Sequence, residues 1–240
     1  MSEPDQIVRT NSPAASWASG RAVPLWLASV LGAWSAVHLL NASLQIAARC
    51  SDLERFVWWT SAKVVAWLLP TALLARWAAA REAPGHWLGL RTWDGMRRAL
   101  AVTTFWLLLQ ALGTRLKLPL FDPLPSEPRW VDLPGALLVA PLFEELMFRG
   151  AMLRTLRQQG CARELTVFST ALAFAALHLP GWFARRGLDP AIAGSFVGIA
   201  LFGVVLGYLA WYARSLWAPV LLHALHNAWT TGLLVWLAHR

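Results

Sequence analysis

The sequence predicts an all-α fold, a polytopic membrane bundle of about seven transmembrane helices, with about six to eight as the range. Three observations predict it. Hydrophobic residues make up 57% of the 240 residues and charged residues only 14%, whereas soluble domains are usually about a quarter charged. The mean hydropathy is +0.47. The apolar residues also fall into runs long enough to cross a bilayer, separated by short polar or basic connections.

The charge pattern indicates contact with a membrane surface and no nucleic-acid partner. The formal net charge is +8, but the arginines are scattered between apolar segments instead of being gathered on one face. Cytoplasmic loops that touch anionic lipid explain this pattern better. The 16 tryptophans are typical of rings anchored at membrane interfaces. The short loops, and a polar N-terminal stretch without the apolar core of a secretory signal, favour a multi-pass protein of a bacterial inner (cell) membrane.

Two parts of the chain are distinguished by composition. Residues 1–22 are predicted to be a disordered polar tail, and residues 23–240 a membrane domain. A small excess of basic residues in the tail and the even-numbered connections predicts a cytoplasmic N-terminus. The predicted spans, in chain order, are about Leu25–Ala48, Phe56–Ala79, Ala99–Leu112, Leu133–Leu156, Leu165–Leu179, Ala191–Ala213 and Leu216–Ala238.

Prolines and charged residues interrupt or separate the predicted spans. Pro70 is predicted to kink the second span, and Pro180 to end the fifth just past His178. The basic stretch 81–98 is predicted either to lie on the membrane surface or to be a solvated connector. The four prolines between residues 115 and 132 predict a loop there, because proline disrupts a regular helix.

The fourth span carries Glu144, Glu145 and Arg149 in its apolar run. Each such charge costs about 2.5–3.5 kcal/mol at the centre of a bilayer helix, so a functional site is the default hypothesis. Glu145 and Arg149 are four residues apart and share a face, which predicts a charge pair. Glu144 is rotated from Glu145 by about 100° and is free to point into a cavity. We therefore expect one structural carboxylate and one that can act as a base.

Polar partners occur in two later spans. His178 follows Phe174 by four residues, and His223 precedes Asn227 by four, so each pair shares a helix face. An imidazole beside Glu144 could help to activate a water for attack on a carbonyl. His223 and Asn227 are donors of the kind that stabilise an oxyanion. His226 is the second choice for the role of His223.

Other interpretations remain open for each residue. Glu144, His178 and His223 are a plausible ligand set for zinc or another divalent metal. Glu145 with Arg149 could be a buried ion pair, and His223 with Asn227 a hydrogen-bonded contact between helices. His178 could instead be an interfacial histidine, and the isolated His38 a structural one. Because three separate apolar segments carry unpartnered polar groups, one shared cavity is the simplest arrangement that satisfies them all.

The ordered motifs Glu144-Glu145-x-x-x-Arg149, Phe174-x-x-x-His178 and His223-x-x-x-Asn227 resemble those of the CPBP family. This family, also called Abi, contains CAAX prenyl endopeptidases and bacteriocin-processing or bacteriocin-immunity membrane proteins. The resemblance covers roughly residues 86–230. Supporting matches are Leu88-Gly89-Leu90-Arg91, Gly203, Gly207 and Ser215-Leu216-Trp217-Ala218-Pro219.

The resemblance implies an intramembrane endopeptidase with a water-accessible cavity. By this resemblance, Glu144 and His178 would activate the water. His223 and Asn227 would form the oxyanion site, and Glu145 and Arg149 would organise the first motif. Members are described both as metalloproteases and as glutamate-dependent enzymes, and the metal requirement stays open. The expected substrate is a peptide or a membrane protein, and nothing indicates a prenylated one or an oligomeric state.

Two further functions compete with proteolysis. The mixed membership of the family implies, as the main alternative, a non-catalytic membrane immunity or scaffold protein. Intramembrane Glu and His residues also occur in proton- or ion-coupled transporters, but the spans show no inverted repeat, which disfavours that class.

Overall fold

Every secondary-structure element that the computed structural model describes is a helix. The structure describes residues 13–78, 95–116, 125 and 128–238, with side chains from residue 21 onward. The predicted surface segment 81–98 and the proline-rich loop 115–132 fall largely outside these residues. Within the described residues the all-α prediction is confirmed, and no strand occurs.

The first part of the chain forms a helical hairpin followed by a separate helix. Gln45, whose backbone is in the left-handed conformation, ends the first helix of the hairpin. A capping box between Ser51 and Glu54 begins the second helix of the hairpin. A π-helical segment lies directly before Pro70, where the kink was predicted. The elements are α1 (Pro13–Leu44), α2 (Ile46–Arg49), α3 (Asp52–Lys63), π1 (Val64–Leu68), α4 (Leu69–Ala78) and α5 (Met96–Arg115).

The second part begins with a 3₁₀ turn, Trp130–Asp132, and contains the predicted site residues. Its first long helix is a composite that alternates π- and α-helical segments without a break. The elements are π2 (Gly135–Val139), α6 (Ala140–Glu145), π3 (Leu146–Met152), α7 (Leu153–Gln158), α8 (Arg163–Ala176), α9 (Leu179–Arg186), α10 (Ala191–Ala213), α11 (Trp217–Thr230) and α12 (Leu233–Ala238). Only α10 has the bounds that the sequence predicted for a span.

The helix α1 begins at Pro13, inside the stretch that was predicted to be a disordered tail. Proline is favourable at the first position of a helix, where its missing N–H would have had no partner. The alanine-rich run after it favours the helical state. Residues 1–12 lie outside the described residues.

Two predicted helix ends are also corrected. The helix α8 ends at Ala176, before His178, and Pro180 lies in the first turn of α9 instead of ending a span. In that position proline starts a helix, for the same reason that it does at residue 13. The last predicted span is broken at Gly232, whose φ of 76° lies in the left-handed region, so α11 and α12 are separate helices.

Four of the described helical stretches are long and apolar enough to cross a membrane. They are Arg21–Leu44, Asp52–Ala78, Arg163–Arg186 and Ala191–Ala213. The chain is therefore a membrane protein by helix length and composition, while the number of about seven spans stays a prediction. The other helices fall short because α5 and the composite helix carry several charges, and because α11 has only 14 residues.

The tryptophans occupy the core as well as the surface. Trp26, Trp34, Trp67, Trp106 and Trp182 are all buried, so the prediction that these rings anchor the protein at interfaces is wrong for these five. Some have polar partners inside the bundle; the indole N–H of Trp26, for example, donates to the Thr71 hydroxyl at 3.2 Å. Burying the ring is favourable when its N–H finds such an acceptor.

Small residues bring α8 and α10 into close contact. A Cβ carbon added at Gly203 would lie 3.0 Å from the Ala171 Cα, and one at Gly207 would lie 3.0 Å from the Val167 Cγ1. The close approach that the glycine spacing predicted is therefore present at these two positions. It also brings the backbone of α10 within reach of the composite helix that carries the glutamates.

Candidate functional site

The two adjacent glutamates end α6, which lies between two π-helical segments. Pro141 has no N–H, and its ring would crowd the carbonyl four residues earlier in a regular helix. The widened turn of π2 precedes it and relieves this conflict. π-Helical turns are rare and are frequent at functional sites, and two of the three in the described residues flank the Glu144-Glu145 pair.

Glu145 is the structural carboxylate. Its side chain has no exposed surface, and its Oε1 accepts from the Arg149 Nη1 at 3.1 Å and faces the His223 Nδ1 at 2.9 Å. The i, i+4 contact predicted by the spacing is therefore present. The same Oε1 accepts from Arg149, so the hydrogen between Nδ1 and Oε1 comes from His223.

Arg149 connects three helices from a fully buried position. Its Nη2 donates to the Gly203 carbonyl at 2.9 Å, and its guanidinium carbon lies 4.6 Å from the centre of the Phe174 ring. A charge in such a place is tolerable only when it is paired and hydrogen-bonded. Arg149 therefore fixes the first motif against α8, which carries the second motif, and against α10.

His223 lies between the two glutamates. With Nδ1 donating to Glu145, its other ring nitrogen faces Glu144, and the distance from His223 Nε2 to Glu144 Oε2 is 3.9 Å. This separation is too long for a direct hydrogen bond. A water at about 2.8 Å from both atoms would fit beside the line that joins them.

His178 lies just after α8 and is oriented by its own helix. Its Nδ1 is 2.9 Å from the Phe174 carbonyl oxygen. A carbonyl only accepts, so the hydrogen is on Nδ1 and the Nε2 of the neutral ring is an acceptor. The predicted spacing of four residues between Phe174 and His178 thus produces a ring held in one tautomer.

Glu144 and His178 share the wall of a cavity of about 730 Å³. The cavity extends from exposed rim residues, such as Asp52 and Arg129, to the buried Glu144. It is bounded by the end of α1, by α3, by the start of the composite helix and by α9. Aromatic side chains form much of the opposite wall: Trp34, Phe56, Trp59 and Trp67.

Glu144 and His178 are the predicted residues that line this cavity, and the lining does not include Glu145, Arg149, His223, Asn227 or His226. The Asn227 Nδ2 donates to the Ala136 carbonyl at 2.7 Å, which holds α11 against π2, and Asn227 is not among the lining residues. The Nδ1 of His226 lies 3.2 Å from the Trp106 Nε1 and 3.1 Å from the Gln110 Nε2. His226 therefore binds α5 and is no substitute for His223.

The donor set does not fit a metal ion. Among the residues that the structure describes, no three His, Cys, Asp or Glu side chains are grouped closely enough to hold one. Glu144 and His223 approach each other, but His178 does not complete a three-ligand set with them. The predicted alternative of a zinc site made by these three residues has no support in this geometry.

Sequence reasoning missed two residues of the cavity wall. Sequence reasoning assigned Lys63 no role in the site and left His38 as a structural residue, but both line the cavity that contains Glu144. His38 packs its ring against Trp34 at 4.7 Å and Trp59 at 5.1 Å between centroids. Neither residue belongs to a motif, and no spacing along the chain relates them to Glu144, so only the fold could show this.

The family comparison agrees with the motifs. The family model for the Rce1-like type II CAAX prenyl endopeptidases matches residues 126–229. Comparison with curated proteins and with solved structures finds no match. The family match leaves out residues 86–125 of the predicted region, which include the Leu88-Gly89-Leu90-Arg91 string. Residues 126–229, which carry all six predicted site residues, therefore match the Rce1-like family model, as the motif resemblance predicted.

Proposed function

We propose that this chain is an intramembrane endopeptidase in which Glu144 activates a water for attack on a peptide bond. The proposal rests on the different surroundings of the two glutamates. Glu145 is locked by Arg149 and His223, whereas Glu144 faces the cavity. The Rce1-like family is a protease family, which supports a peptidase.

In this mechanism Glu144 removes a proton from water while the oxygen attacks the carbonyl carbon. His178, whose Nε2 is an acceptor, assists in orienting the water. The C–N bond of the tetrahedral intermediate then breaks, and the protonated Glu144 gives its proton to the leaving amine. The products are a carboxylic acid and an amine, which exchange a proton to become a carboxylate and an ammonium group, and no step passes through a metal.

The roles of Arg149, Glu145 and His223 follow from their contacts. Arg149 and Glu145 hold the His223 ring so that its Nε2 faces Glu144. His223 is thus held beside Glu144, on the side away from the solvent-exposed rim. Asn227 acts as a positioning residue, because its amide holds π2, whose Gly135 and Ala136 form part of the cavity wall.

The substitution Glu144→Gln tests the proposal. We expect a loss of about 100- to 10,000-fold in cleavage rate, because the amide cannot accept the proton. The assay would use purified protein in liposomes and quenched fluorescent peptides, including a farnesylated CAAX peptide and the same peptide without its lipid. The pair of peptides also shows whether prenylation matters.

The matched control is Glu164→Gln, which makes the same change at an exposed carboxylate paired with Arg163 outside the cavity. It should keep full activity. Cleavage should also survive a chelator, since the proposed route has no metal step. Wild-type rates in Glu144→Gln would overturn the proposal, and a wild type that cleaves no peptide would favour the non-catalytic alternative.

A further inference from the structure

The end of the bundle opposite the cavity is rich in arginine. There α7 and α10 end, and α8 and α11 begin. The start of α5 lies against the end of α10, because a Cβ carbon added at Gly95 would be only 2.6 Å from the Ala213 Cβ. Among the described residues of these helix ends, Glu164 is the one carboxylate. The arginines there are Arg97, Arg98, Arg154, Arg157, Arg163 and Arg214.

Arg163 and Arg157 differ in how their charges are balanced. The Arg163 Nε donates to the Glu164 carboxylate at 2.8 Å, and its Nη1 donates to the Tyr212 hydroxyl at 2.5 Å. In the described part of the chain, Arg157 has no carboxylate within salt-bridge distance. Its guanidinium carbon lies 4.7 Å from the centre of the Trp211 ring instead. A cation–π contact of this kind leaves the guanidinium N–H groups able to donate to an anion.

Arg214 brings a second positive charge to Arg157. It follows directly after α10, and its left-handed backbone, with a φ of 53°, ends that helix. Its carbonyl accepts from the Arg154 Nη2 at 3.3 Å, which holds it beside α7. The charges of Arg214 and Arg157 are close enough to repel each other. An anion bound between two such charges removes the repulsion.

The aromatic residues beside these arginines favour a lipid headgroup as the anion. Trp211 and Tyr212 belong to the last turn of α10, which is one of the helices long and apolar enough to cross a membrane. Tryptophan and tyrosine are enriched at the depth of the headgroups. Trp211 is partly exposed and Tyr212 is exposed, so a lipid beside α10 can reach both the rings and the arginines. Basic pockets between membrane helices are known to bind anionic headgroups.

We propose that Arg157, Trp211 and Arg214 form a binding site for the phosphate group of an anionic phospholipid. Arg157 donates two parallel N–H bonds to the phosphate oxygens, a geometry that guanidinium and phosphate groups favour. Arg214 adds the second charge, and Trp211 packs against the glycerol part of the lipid. The bound lipid ties the end of α7 to the end of α10. The site is separate from the cavity, and the proposal does not depend on the cleavage reaction.

Lipid binding to the purified protein in detergent tests the proposal. Native mass spectrometry would follow titrations with phosphatidylglycerol and with phosphatidylcholine, which has the same phosphate but no net charge. We expect phosphatidylglycerol to bind about tenfold more tightly. Arg157→Gln should weaken phosphatidylglycerol binding by about five- to tenfold and phosphatidylcholine binding by less than about twofold. Arg157→Lys keeps the charge but cannot form the paired bonds, so its affinity should lie between those of the wild type and Arg157→Gln.

The matched control is Arg163→Gln, which removes a guanidinium from the same end of the bundle, where Glu164 already balances it. Because an exposed ion pair contributes little, this change should leave phosphatidylglycerol binding within about twofold. Thermal unfolding of each variant without added lipid shows whether it is folded.

Three results would overturn the proposal. The first is equal affinity of the wild type for the two lipids. The second is equal weakening by Arg157→Gln and Arg163→Gln, which would mean that only the overall charge attracts the lipid. The third is displacement of phosphatidylglycerol by an equal concentration of glycerol 3-phosphate, which would mean that the site takes a soluble phosphate compound.

Discussion

At the scale of single residues, the site is held by charges with no exposed surface. Arg149 and Glu145 are both fully buried, and each is tolerable only because of the other and of the groups bound to them. Breaking such a pair by removing one partner is far more costly than replacing both. The pair also orients His223. Its loss should therefore affect activity through His223, in addition to its effect on stability.

We expect Arg149→Met to destabilise the protein by about 3–5 kcal/mol, because Glu145 is left as a buried charge without its guanidinium. The double variant Arg149→Met with Glu145→Gln should recover part of this stability, since no buried charge remains. It should stay inactive, because His223 loses its ionised partner. Equilibrium unfolding in detergent and the peptide assay measure the two properties. A double variant less stable than Arg149→Met would contradict this account.

At the scale of helices, close packing of α8 and α10 places the second motif beside the helix whose backbone binds Arg149. Gly203 contributes twice: it has no Cβ to separate the two helices, and its carbonyl accepts from Arg149. The small-residue pattern in the sequence predicted the packing but not the bond to Arg149. A helix that sequence reasoning treated as packing material therefore also supports the first motif.

The substitution Gly203→Ala should destabilise the protein by about 1–3 kcal/mol, because the new methyl group would lie 3.0 Å from a backbone atom of Ala171. Activity should fall with it as α10 moves away from Arg149. The control is Gly32→Ala, where nothing lies within 4 Å of the added carbon. That change should be neutral or stabilising by up to about 1 kcal/mol. Equal stabilities of the two variants would argue against close packing at Gly203.

At the scale of the whole molecule, the cavity occupies one end of the bundle. The end of α1, the start of α3 and the 3₁₀ turn meet there, with Asn41, Asp52 and Asp132 in its lining. The opposite end holds Arg154, which donates to the Arg214 carbonyl, and Arg163, which donates to the Tyr212 hydroxyl. The two cysteines mark these ends, because Cys50 precedes α3 and Cys161 precedes α8.

We expect Cys50 and Cys161 to face opposite sides of the membrane. Both are free and partly exposed, so a membrane-impermeant maleimide applied to intact cells should label only one of them. Permeabilised cells should allow labelling of both, and the variants Cys50→Ser and Cys161→Ser would identify which is which. Labelling of both cysteines in intact cells would show that an even number of spans separates them.

The sequence by itself determined the all-helical membrane class, the resemblance to the CAAX prenyl endopeptidases and the pairing of Glu145 with Arg149. These follow from local composition and from spacing within one helix, which the chain carries regardless of its fold. Only the tertiary structure decided that Asn227 holds π2, that His226 binds α5, and that Lys63 lies on the same cavity wall as Glu144. Contacts between helices depend on how each helix is rotated and where it is broken, and breaks such as the one before His178 arise from packing as much as from local sequence.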